Sequence, residues 1–138
     1  MRDLRYGIEI EMTGLSRGKA AETLAGFFGT RAEHTGGSYD AYAVRDAQDR
    51  VWKLVSDGSI QTQKKVRGQT VAADSTYSVE LVSPVCVYED IETIQEIVRA
   101  LRRNNALVND SCGIHVHVGA EKFDAQHLRN ITNIMASK

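Results

Sequence analysis

The sequence predicts an α+β domain: a mainly antiparallel sheet with helices packed on one of its faces. Three observations carry that expectation. Leu4 to Met12 and Gly113 to Gly119 alternate apolar and polar residues with the period of two that a half-buried strand requires. Gly36-Gly37 and Asp46 to Asp49 punctuate three further short alternating segments, which reads as an antiparallel meander. Three longer segments repeat apolar residues at helical spacing instead.

In order, the first strand covers about residues 4 to 12, with Leu4, Tyr6, Ile8, Ile10 and Met12 on its apolar side. A helix over 17–28 follows. Ser16 can cap its start, Gly29 can end it, and Ala20, Ala21, Leu24, Phe27 and Phe28 supply its buried side. The meander strands fall near 30–34, 39–45 and 50–56. Gln61 to Thr76 is polar and aperiodic, and reads as a long loop or an extended hairpin. Tyr77 to Val82 is a strand closed by Ser83-Pro84. The clearest helix spans about 88–103, burying Ile91, Ile94, Ile97, Val98 and Leu101. Its acidic start (Glu89, Asp90) and basic end (Arg99, Arg102, Arg103) match the helix dipole. Short strands at 106–108 and 113–119 come next. Asp124 then caps a last helix, with Phe123 and Leu128 as a hydrophobic staple and Leu128, Ile131, Ile134 and Met135 along one face. That face needs apolar cover, so the helix is expected either to pack on a partner chain, as in a homo-oligomer, or to expose an apolar stripe.

Bulk composition narrows the class. The 138 residues make about one domain, able to bury roughly two-thirds of its unfolded surface. Apolar content of 42% and charged content of 25% are those of a globular protein. A net charge of −1 gives no electrostatic drive toward nucleic acid or an anionic membrane. Lys64, Lys65 and Arg67 read as solvated loop charges. With no apolar run of membrane-spanning length and no apolar signal region, the expected compartment is the cytoplasm. Cys86 and Cys112 form neither a CxxC pair nor a disulfide framework.

The polar sides of the strands carry the chemistry. Opposite its apolar side, the first strand presents Gly7, Glu9 and Glu11, and the late strand presents His115 and His117 flanked by glycines. Two carboxylates and two imidazoles on one sheet face make a divalent-metal site. Alternating Glu and Ile is also how an ordinary half-solvated strand looks. Glu80 faces away from Tyr77, Val79 and Leu81, and Asp57 stands at a strand end beside Gly58. Asn109 to Gly113 form a polar turn into the histidine strand.

Taken in order, these segments are Gly-Ile-Glu-Ile-Glu, Asp-Gly-Ser-Ile, Glu-Leu-Val-Ser-Pro and Cys-Gly-Ile-His-Val-His-Val. The series resembles the amidoligase family, a branch of the carboxylate–amine ligases with a glutamine synthetase-like fold. The resemblance implies an ATP-dependent ligase that uses Mg²⁺ or Mn²⁺, phosphorylates a carboxylate and lets an amine attack the acyl phosphate to form an amide or isopeptide bond. It also implies roles. Glu9 and Glu11 would be the paired metal-holding carboxylates, Asp57 and Glu80 further acidic ligands, His115 a metal-binding imidazole, and His117 a contact to the nucleotide phosphates. Carboxylate and amine substrates would be small molecules, peptides or protein side chains. Related ligases continue well beyond this point, so the resemblance implies the N-terminal portion of a longer catalytic domain, inactive alone. Oxygen-rich ligand sets suit Mg²⁺ or Mn²⁺, which neutralise charge between phosphate and carboxylate.

Two other classes remain. His115-Val116-His117 with Glu121 has the spacing of a cupin's first metal motif, but only His127 follows for its second. A non-catalytic metal- or nucleotide-binding module would carry the same ligands without turnover.

Overall fold

In a computed structural model, residues 4–119 are described. Their order is β1 (Tyr6–Met12), α1 (Arg17–Phe28), β2 (Ala32–Gly36), β3 (Ala41–Arg45), β4 (Val51–Val55), β5 (Gln63–Val66), β6 (Gln69–Ala72), β7 (Val79–Val82), α2 (Ile91–Arg103) and β8 (Ile114–Val118). Six strands form one sheet in the order β2-β3-β4-β7-β1-β8. Every neighbouring pair is antiparallel. The expected α+β class is the observed one. It is an open sheet backed by helices, not the barrel that the cupin alternative requires.

Alternation sorts the two faces. Ile8, Ile10, Met12, Val44, Trp52, Leu54, Val79, Leu81, Val116 and Val118 point to one side and are buried. There α1 adds Ala20, Ala21, Leu24 and Ala25, and α2 adds Ile94, Ile97 and Leu101. Each fully buried large side chain contributes about 1.5–3 kcal/mol of transfer free energy, so this seam is the main source of stability. The other face carries no helix among the described residues, and it holds the polar residues of β1, β7 and β8.

Local signals act as the sequence predicts at several places. Ser16 accepts from the Lys19 N–H at the start of α1, and Gly29 ends it in the left-handed region with φ 72°. The polar stretch after Ile60 resolves into the hairpin alternative: β5 and β6 pair through a turn in which Arg67 and Gly68 have φ 52° and 81°. Such a turn fits the right-handed strand twist. Elsewhere the structure corrects the reading. Ser75–Tyr77 is a 3₁₀ turn, so the strand starts at Val79 rather than Tyr77. Its cause is Asp74, whose side chain accepts from the Thr76 N–H. Tyr88–Asp90 is likewise a 3₁₀ turn ahead of α2. Residues 106–108 provide one bridge, Thr13 to Leu107, rather than a strand. The helix expected from Asp124, with Leu128, Ile131, Ile134 and Met135, lies outside the described residues, as do Glu121 and His127. Among the described residues, no helix is long and apolar enough to cross a membrane.

Candidate metal centre

Strand register assembles the site. On β1, Glu9 lies opposite His115 of β8 on one side and Val82 of β7 on the other. Two residues on, Glu11 lies opposite Glu80, and Glu80 lies opposite Val55 of β4. Directly opposed residues share a face. Glu9, Glu11, Glu80, His115 and His117 therefore all project from the open side of the sheet. Asp57 reaches the same place from just beyond β4. Its N–H donates to Ser78 Oγ (2.8 Å) and the Ser78 hydroxyl donates back to its carbonyl (2.7 Å). This pinned loop aims the Asp57 carboxyl group at β1.

The ligand-type atoms fall into two groups. One oxygen or nitrogen each from Glu9, Glu80 and His115 lie within 4.8 Å of one another, and so do one oxygen each from Glu11, Asp57 and Glu80. Glu80 belongs to both trios. His117 Nε2 is 3.2 Å from Glu9 Oε1, and His115 Nδ1 is 3.8 Å from the same oxygen. Glu11 is the buried member, 7% exposed. Its Oε1 accepts the Gly113 N–H at 2.8 Å, fixing that side chain against the turn that enters β8.

Electrostatics record the crowding. Burial, followed by the charges of Glu9, Asp57 and Glu11, pushes the Glu80 carboxyl up to about 7. Burial and a hydrogen bond shared with Asp57 also raise Glu11. Asp57 moves the other way, held low by that hydrogen bond and by the Ser59 N–H and hydroxyl donating to its Oδ1 (2.9 and 2.7 Å). The two neighbouring carboxyl groups are thus shifted in opposite directions. Four carboxyl groups crowded like this could hold a cation, and would release protons in doing so, as oxygen-donor metal sites do. The donor set fits one or two hard divalent ions. Two cysteines do not contribute: Cys86 is buried on the helix side, and Cys112 stands beside Asn109.

Among the described residues the site is a surface rather than a cavity, and a mostly apolar cleft of about 640 Å³ opens beside it. Val98, Leu101, Leu107 and Ile114 line that cleft, and it meets the carboxylates through Glu11. All six residues singled out from the sequence gather around β1. Reading the sequence missed the residues that hold them: Ser78, Ser59 and the Gly113 N–H. A serine two residues before a strand glutamate was the available signal for Ser78.

The family model described as "putative amidoligase enzyme" matches residues 2–138. No curated protein and no solved structure matches the chain.

Proposed function

The chain belongs to the amidoligase family, and on that premise we propose that it is an ATP-dependent carboxylate–amine ligase working through an acyl phosphate. The observation that carries the proposal is the pair of trios sharing Glu80. Divalent ions held there would neutralise phosphate oxygens and let a carboxylate approach a triphosphate. The chain's own residues do the positioning. Glu9 and His115 hold one side of the site, Glu11 and Asp57 the other, and Glu80 joins them. His117, exposed beside Glu9, is placed to meet phosphate oxygens. The backbone N–H of Gly113 and the Ser59 hydroxyl fix the Glu11 and Asp57 carboxyl groups, and the Ser78 hydroxyl holds the Asp57 backbone.

The test is coupled turnover in the natural full-length protein. ADP and phosphate should be released only when a carboxylate, an amine and Mg²⁺ or Mn²⁺ are all supplied. Glu9→Gln keeps nearly the same shape while removing one charge, and should depress turnover by orders of magnitude with the fold intact. Turnover unaffected by a chelator, or full activity in Glu9→Gln, would remove this reading. Metal binding without ADP release under every acid and amine tried would instead favour the non-catalytic module.

A further inference from the structure

One residue row crosses the whole sheet on its open face: Glu33, Ala43, Lys53, Val82, Glu9 and His115 stand opposite one another from β2 to β8. Lys53 is exposed in the middle of that row, between Trp52 and Leu54, which both point into the core. It lies two strands from Glu9, about 10 Å along the hydrogen-bonding direction, and diagonally across from Glu80 at about 7–8 Å. Its flanking neighbours in the row, Ala43 and Val82, are short, so the stem is free to swing toward either side.

The basic groups nearest to it on this face already have partners. Arg45 pairs with Asp49 at 3.4 Å, and both histidines lie against Glu9. The Lys53 ammonium makes no hydrogen bond or ion pair with any of the described residues. Residues of the carboxylate cluster attract cations, and any anionic substrate brought to it needs a countercharge supplied from outside the ligand set. Resting on the ligase reading above, we propose that Lys53 grips an anionic oxygen group of the substrate, a phosphate or a carboxylate, on the β4 side of the metal centre. The anion then spans the gap over Val82, with the ammonium on one side and the metal ligands on the other. Lys53 is in this account a binding residue for the substrate and takes no part in holding metal.

Equilibrium binding separates the possibilities in the full-length protein. Mn²⁺ alone, followed by electron paramagnetic resonance, should bind wild type and Lys53→Met equally. Mn²⁺·ADP and the dicarboxylate glutarate, each followed by titration calorimetry on the Mn²⁺-loaded protein, report phosphate and carboxylate contacts separately. Lys53→Met should weaken one of the two at least tenfold, the size of one charge-assisted hydrogen bond. Lys53→Arg should restore most of the loss. Weakened Mn²⁺·ADP assigns the contact to phosphate; weakened glutarate assigns it to the acid. Unchanged binding of both probes overturns the proposal while leaving the metal centre standing. Failure of wild type to bind Mn²⁺ would remove the ligase reading and this inference together, a result distinct from the first.

Discussion

At the scale of single residues, Glu80 is where charge and function oppose each other. Burial and the neighbouring carboxylates push its carboxyl in the folded protein up to about 7, from an ordinary value of 4.5. The folded protein therefore holds a proton that the unfolded chain releases earlier. That contribution to stability is fully present below pH 4.5 and is lost as pH rises to about 7. Glu11, also raised, adds in the same direction. The carboxylates held low (Asp40, Asp46, Asp57, Asp74 and Asp90) lose their contribution only as pH falls below 3.8. They leave the neutral range to the glutamates. In a chelator, the protein should lose about 1–2 kcal/mol between pH 5 and 8, after discounting for solvent screening. Thermal melts should show a drop of several degrees over that range, and Mn²⁺ should abolish it. Glu80→Gln should flatten the pH dependence and raise the metal-free melting temperature at pH 8. A melting temperature that climbs from pH 5 to 8 in chelator would contradict the crowding. Alternation alone made the facing of Glu9, Glu11, Glu80, His115 and His117 legible. The sharing of Glu80 was not legible, because it depends on β7 lying beside β1 across a long stretch of intervening chain.

At the scale of elements, a buried ionic knot joins the β3–β4 turn to the start of α2. Asp46, 6% exposed, accepts from the Trp52 indole N–H, the Gln48 N–H and the Arg50 N–H and Nε (each 2.9 Å). Arg50 also grips both oxygens of Asp90 (3.0 and 2.8 Å), and Asp90 accepts from the Val87 N–H (2.8 Å). Burial alone would raise Asp46, but these donors outweigh it and hold the carboxyl low. From the sequence, Asp46 reads as a turn former and Asp90 as a helix-dipole partner. Both readings are local, whereas the knot joins positions 40 residues apart. Arg50→Met should cost about 2–4 kcal/mol in urea unfolding at pH 7, since it strands two buried carboxylates. A cost below about 0.5 kcal/mol would show the knot to be idle. Gly14 is a second local constraint invisible in the sequence. It turns the chain after β1 with φ 91°, and a Cβ there would run into the Asn105 carbonyl and the Leu107 backbone. Gly14→Ala should destabilise by about 2–3 kcal/mol and misplace Glu11, which lies three residues before it.

At the scale of the whole molecule, one sheet divides the labour. Its helix-covered face supplies stability through side chains such as Trp52, Leu54 and Leu81, and its open face is left for ligand-type groups. The α+β class was legible because each strand carries the same division in its own sequence. The strand order was not, since antiparallel neighbours such as β4 and β7 are separated by the β5–β6 hairpin. This division predicts that removing charge from the carboxylates of the open face alters metal affinity while leaving the fold in place. Mn²⁺ titration at pH 7.5, followed by electron paramagnetic resonance in wild type, Glu9→Gln, Glu11→Gln and Glu80→Gln, tests the central claim most directly. Each variant should fold and bind Mn²⁺ more weakly, with Glu80→Gln, the member of both trios, losing the most, at least tenfold. Wild type that leaves Mn²⁺ free at millimolar concentration, or Glu80→Gln that binds it as tightly as wild type, would contradict the account.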